Sequence, residues 1–251
     1  MQYGLRRLPL EGLVNARDLG GFPTKDGKMT RYGAAVRSEA PRSITEKDIE
    51  ALKAYGIKTV IDLRGAEEIE RHPSLLCGDE SIDYHCCPAF DESVAFAARG
   101  KIPFTENFDM AAKYIEMAER RKSWVCNVMT VIAGSEGGVL FNCAMGKDRT
   151  GIIAALLLGH AGAYEVDIVA DYSVSDQYLA PVYERIFESM RRDMSEREIE
   201  KYLPFFLTPP DNMRRLLKHL KDTYGGVTEY LRGCGLGEDT LSRLRAHMIA
   251  E

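Results

Sequence analysis

Cys143 and Arg149 stand six positions apart in the run Asn142-Cys143-Ala144-Met145-Gly146-Lys147-Asp148-Arg149-Thr150-Gly151. A cysteine is a nucleophile only as its thiolate. An arginine offers two parallel N–H donors that match a pair of phosphate oxygens. Cys-x5-Arg spacing alone recurs by chance, so its context has to carry the reading. Before it, Gly137-Gly138 lead into Val139 to Phe141, which read as a short buried strand. After it, the apolar run TGIIAALLLGHAG from Thr150 reads as a buried helix. The turn therefore opens a helix N-terminus, where four backbone N–H groups lack intrahelical partners and the macrodipole is positive. Such an end holds an anion. With Lys147 and Arg149 close by, it also favours the Cys143 thiolate over the thiol. Gly146 lets the backbone curl around a phosphate. Ala144, Met145, Gly146, Lys147 and Thr150 are accordingly expected to line the anion site, with the Thr150 hydroxyl stabilising the departing thiolate.

The elements that must position this turn follow from the rest of the chain. Thr45 with Asp48 three residues on forms a capping box for a helix that Gly56 terminates. Ile57 to Arg64 read as a buried strand, and a further strand is expected at Ile82 to Cys87. Gly27 and Gly33 bracket a hairpin that ends at AAVRSEA. Pro88 to Pro103 carry loop chemistry, and a long helix is expected around Phe108 to Ile132. Capping signals at Ser195/Glu198 and at Thr208-Pro209-Pro210 make most of the C-terminal half helical. The expected architecture is α/β, a central mixed sheet flanked by helices, in one domain spanning residues 1–251. The helical stretch from Tyr172 to Tyr202 reads equally as a lid over the pocket or as plain scaffold.

The whole-chain totals exclude several classes. At 251 residues and 45% hydrophobic composition the chain can bury a large core. A net charge of -5, with both signs mixed throughout, offers no basic stripe for a nucleic-acid backbone. The N-terminus has no apolar h-region, and no uninterrupted apolar stretch reaches about 18 residues, so a soluble, unexported, cytoplasmic protein without membrane insertion is expected. The six cysteines show no CxxC pair and no Cys/His cluster with zinc-site spacing. His72, His85, His160, His219 and His247 also lack ligand spacing, so neither metal nor cofactor is expected. The adjacent Cys86 and Cys87 suit buried strand packing better than a redox role toward Cys143.

From Cys143 to Gly151 the chain resembles the bacterial protein-tyrosine phosphatase family, whose loop reads His-Cys-x-x-Gly-Lys-Asp-Arg-Thr-Gly. The likeness extends to NARDLGG at Asn15 to Gly21, VRSEA at Val36 to Ala40, VIDLRGAEE at Val60 to Glu68, DYSVSDQY at Asp171 to Tyr178, and YGGVTEYL near the C-terminus. It implies a tyrosine-phosphatase-like fold and metal-independent hydrolysis through a phosphocysteine. It also implies activity on phosphotyrosine, and often on phosphoserine/threonine or phosphoinositides. One departure is Asn142, which stands where the family has His and cannot carry positive charge, so a weaker rate is expected.

Expulsion of the leaving oxygen needs a proton donor, and two carboxyls compete for that duty. Asp148 resembles the aspartate to which the family's acid role is assigned and is preferred. Asp91, in PAFDES after a strand, is the alternative. Lys147 has no duty in the two chemical steps, which points to a further anionic group on the substrate, as in a phosphoinositide. The DLR motif places Arg64 near the loop by resemblance, for loop support or substrate contact, and Arg17 and Asp18 are read similarly. Two other functions compete. A phosphate-binding module without turnover is opposed by the intact Cys, Arg and Asp. A rhodanese-like sulfurtransferase is opposed by Lys-Asp-Arg-Thr-Gly. Oligomeric state is not legible.

Overall fold

In the computed structural model, residues 6–89 and 108–250 are described. Asp91 and the rest of the 90–107 segment lie outside the described residues. The strands are β1 (Arg17–Asp18), β2 (Ala35–Glu39), β3 (Ile57–Asp62), β4 (Asp83–Cys86) and β5 (Gly138–Cys143). They form one sheet in the order β1-β2-β5-β3-β4, with β1 antiparallel to β2 and the other pairs parallel. β5 lies between two parallel neighbours, which explains its continuous burial.

Side chains of β5 alternate across the sheet. Val139, Phe141 and Cys143 join a large core with α3 (Met110–Arg120), α4 (Lys122–Gly134), α5 (Asp148–Ala161), α6 (Glu165–Ser173) and the C-terminal helices α10 (Pro210–Tyr224), α11 (Val227–Gly233) and α12 (Glu238–Met248). Leu140 joins a smaller core on the opposite face with Val36, Val60 and Leu52, the last from α1 (Glu46–Ala54). α5 is buried nearly all round, as a helix at the centre of a core must be. Each of its leucines contributes roughly 1.5–3 kcal/mol by leaving water. Gly162, at φ 94°, ends it in the left-handed conformation.

A third, small cluster joins Leu179 and Tyr183 of α7 (Ser175–Met190) to Phe206 of α9 (Leu203–Phe206), with Met145 packed against it. α8 (Glu196–Glu200) starts at the Ser195/Glu198 capping box, as α1 does at Thr45/Asp48. No helix among the described residues is long and apolar enough to cross a membrane.

Two expectations are corrected. The long helix beginning near residue 108 is two helices, because Arg121 leaves helical geometry at φ -120°, ψ 34°. The expected hairpin ending at AAVRSEA is also redrawn. The tight turn closes earlier, by Thr24 N–H donating to the Lys28 carbonyl, while β2 pairs with β1 and β5. Glycines mark turns, but they do not say which strand a β-prone run will pair with.

Candidate active site

The parallel strands all end at one edge of the sheet, where open α/β sheets bind ligands. There the chain leaves β5 at Cys143, turns through residues 144–147 and enters α5 at Asp148. Gly146 has φ 68°, and a Cβ on it would lie 2.4 Å from the Ser38 carbonyl carbon, so backbone conformation and space both require glycine.

The loop's carbonyls are drawn outward. Asn15 Nδ2 donates to the carbonyls of Met145 (3.0 Å) and Gly146 (3.3 Å), and Arg37 Nη2 donates to those of Gly146 (2.8 Å) and Lys147 (3.3 Å). Ala40 N–H donates to the Ala144 carbonyl. The N–H groups of residues 144–147 meet no acceptor among the described residues. Peptide planes whose oxygens are held outside turn their N–H groups inward, which builds an anion-binding nest.

Arg149 is buried, and its donors can be counted. Nη1 donates to Glu68 Oε2 (2.7 Å) and the Leu63 carbonyl (3.3 Å), and Nη2 donates to Glu68 Oε1 (2.9 Å). Of the five N–H donors of a guanidinium, this leaves Nε–H and the second Nη2–H, side by side on one edge: a free fork for two oxygens of a phosphate. Burial would lower the pKa of Arg149. Its bonds to Glu68 and the nearby Cys143 sulfur outweigh that and hold it above the ordinary arginine range. Glu68 itself, on α2 (Ala66–Arg71), would be raised by burial, but Arg149 keeps it below the usual carboxylate value.

Asp148 is half-buried at the first turn of α5, and Tyr114 OH donates to its Oδ1. Tyr114 also bonds Tyr172 OH (2.8 Å), to which Asn212 Nδ2 donates (3.3 Å). Oδ2 accepts no hydrogen bond among the described residues and lies 3.7 Å from Lys147 Nζ. That ammonium donates to the carbonyls of Phe205 (2.5 Å) and Phe206 (2.8 Å), so Lys147 ties the loop to α9 rather than standing free for a substrate anion. Met145 faces the apolar cluster of α7 and α9.

Of the two roles open to Arg64, its bonds are those of a brace. Nε and Nη2 embrace Asp62, and Nη1 donates to the His72 carbonyl (2.7 Å) beyond the end of α2. Thr150 Oγ1 is buried with no partner among the described residues, which leaves it available to the thiol or the anion. Both polar atoms of the Asn142 side chain are likewise unpartnered there. Asn142 pairs in register with Ser38 and Asp62. Arg17 bonds Asp171 and Asn15, whereas Asp18 accepts from Tyr55 and the backbone of Gly20 and Gly33. Cys86 is exposed. Cys87 is buried, which pushes its thiol up, and accepts a bond from Asn127.

The model of the tyrosine phosphatase family matches residues 8–250, nearly the entire chain. The chain belongs to the tyrosine phosphatase family. It is 30% identical over 229 residues to a tyrosine-protein phosphatase of Nostoc commune, across 86% of this chain and 74% of that one. It is 27% identical to a putative tyrosine-protein phosphatase of Cupriavidus necator, covering 98% of this chain and 90% of the relative. Against the triple specificity protein phosphatase PtpB of Mycobacterium tuberculosis the identity is 25%, across 98% and 99%. Membership makes the protein a phosphatase, a hydrolase of phosphorylated substrates.

Within this family member, sequence reasoning left Glu68, Arg37, Asp171, Asn15 and Tyr114 without roles. A signal existed for three of them. Asn15, Arg37 and Glu68 are polar residues inside or beside β-prone runs, where a polar side chain needs a reason. Asp171 and Tyr114 lie on helices with ordinary amphipathic patterns, and nothing in their spacing ties Tyr114 to Asp148 or Asp171 to Arg17 and Arg37.

Proposed function

We propose that this protein is a metal-independent phosphomonoesterase that works through a phosphocysteine on Cys143, acting on phosphotyrosine and, more broadly, on phosphoserine/threonine or phosphoinositides. The observation that carries the reading is the free Nε/Nη2 edge of Arg149, held by Glu68 beside the Cys143 sulfur and a loop of unpartnered amides. In the first step the Cys143 thiolate attacks phosphorus and the P–O ester bond breaks. The leaving oxygen takes the proton from Asp148. In the second, a water loses its proton to the Asp148 carboxylate and attacks phosphorus, the S–P bond breaks, and phosphate departs with the thiolate regenerated. Arg149 and the loop amides stabilise the equatorial oxygens in both transition states.

Met145, half-buried in the loop and backed by the buried Tyr183, Leu179 and Phe206, offers an apolar contact that suits an aryl ester, which supports phosphotyrosine as the principal substrate. Lys147 ties the loop to α9, and Thr150 stands in the first turn of α5 that follows it. The test is turnover of p-nitrophenyl phosphate in EDTA by wild type, Cys143→Ser and Asp148→Asn. Metal-independent turnover lost in Cys143→Ser is expected. For Asp148→Asn a loss on the order of a hundredfold is expected, larger still with an alkyl phosphate, whose leaving oxygen depends more on the donated proton. Full activity in Cys143→Ser would remove the mechanism.

A further inference from the structure

Three buried charged side chains stand behind the loop, and no step described so far uses them. Arg17 and Arg37 lie on neighbouring strands, directly opposite one another in the β1/β2 register, and Asp171 comes from α6. Asp171 Oδ1 accepts from Arg17 Nε (2.8 Å), and Oδ2 accepts from Arg37 Nη1 (2.5 Å). All three are at most 6% exposed. Arg17 spends its remaining donors on Asn15, the Asp171 carbonyl and Ser175 Oγ. Arg37 alone reaches the loop, through Nη2 to the carbonyls of Gly146 and Lys147, and its Nε has no partner among the described residues. Two guanidiniums share one carboxylate, so the bonded trio holds one positive charge in surplus. Glu39 feels the charge of Arg17 but makes no ion pair with it, its carboxylate accepting instead from the amides of Val14 and Asn15.

An uncompensated buried cation is costly, and if packing alone mattered an apolar pair would serve better. The trio is affordable where a bound anion completes the balance. We infer that Arg37 is a positioning residue for the phosphate: it holds the Gly146 and Lys147 carbonyls outward, and the surplus charge of the Arg17–Asp171–Arg37 trio beneath the loop draws in the dianion. The inference rests on the reading of residues 143–149 as a phosphate site. It does not require that the phosphate be turned over.

Charge and packing predict opposite signs. Affinity for inorganic phosphate is measured by protection of Cys143 from iodoacetamide, alongside kcat and KM for p-nitrophenyl phosphate. Arg37→Met should weaken phosphate binding roughly tenfold, the effect of one partly screened charge. Arg37→Lys, which keeps the charge but not the fork, should restore affinity to within about threefold of wild type while kcat stays low. Arg245→Met is the control. Arg245 clasps the carbonyls of His160 and Ala161 at the far end of the same helix, so its loss tests α5 integrity without touching the loop. Unchanged phosphate affinity in Arg37→Met, Lys as poor as Met, or an equal loss in Arg245→Met would each overturn the inference. Asp171→Asn decides the matter should Arg37→Met not fold: it enlarges the surplus, so phosphate must bind at least as tightly although the protein melts lower, and weaker binding refutes the charge role. Wild-type protein that binds phosphate without hydrolysing any ester would sink the proposed function and leave this inference standing.

Discussion

Replacing Glu68 by glutamine tests whether Arg149 is oriented by its partner or merely neutralised by it. Both carboxylate oxygens are engaged, Oε2 by Arg149 Nη1 and by the Gly65 N–H (2.9 Å), Oε1 by Arg149 Nη2. Glutamine keeps one oxygen and puts an NH2 donor against another donor, so one charge-assisted bond is lost outright. Such a bond is worth about 1.5–3 kcal/mol. If that energy fixes the free Nε/Nη2 edge against the transition state, kcat/KM for p-nitrophenyl phosphate should fall roughly tenfold to a hundredfold, mainly in kcat. The guanidinium keeps its charge, so KM should move less. Stability adds a second readout. The folded-state pKa of Glu68 is depressed, so its contribution is present above the unfolded value of about 4.3 and is lost as pH falls through the folded value. Thermal melts of wild type and Glu68→Gln should differ at pH 7 and converge as pH falls below the unfolded value of about 4.3. A variant that melts lower at pH 7 yet keeps kcat/KM within twofold would show that Arg149 needs no orienting partner, which refutes the donor count.

Other perturbations give independent checks. Gly146→Ala forces a side chain into left-handed backbone and against Ser38, so it should cost at least about 1–2 kcal/mol and abolish phosphate protection of Cys143, read by denaturant melts and alkylation. Lys147→Met removes both bonds from the loop to α9, so amide hydrogen exchange in residues 203–208 should accelerate at least tenfold while exchange in α5 stays slow; equal exchange would show that packing of Phe206 alone holds the helix. His160 and His247 are both depressed by burial. Their unfolded forms therefore take up protons that the folded protein resists, and stability should fall as pH drops below about 6.5. His160→Gln should flatten that limb between pH 7 and 5, and an unchanged slope in melting temperature would assign it elsewhere.

The loop's place between strand and helix was legible because its signal is local. Cys143, Gly146 and Arg149 sit within one turn, and the strand before and helix after them carry strong apolar runs. The α1 cap was legible for the same reason, since Thr45 and Asp48 answer one another over three residues. What escaped was whatever the chain brings from afar. Glu68 meets Arg149 across 81 positions and Asp171 meets Arg37 across 134, and no periodicity encodes such pairs. Lys147 shows the opposite failure: its position in the loop was read correctly, but its ammonium goes to carbonyls of a helix nearly sixty residues later, which spacing does not foretell.

The alternation along β5 places a demand on the genetics of this protein as well as on its chemistry. Asn142 and Cys143 point to opposite faces, and β2 and β3 hold the strand in register from both sides. A single codon inserted or deleted within β5 would leave strand, core and loop intact in composition while presenting the wrong neighbour to the pocket. The orientation of Cys143 is therefore guarded by parity: two-residue changes in this strand can preserve it, and one-residue changes cannot.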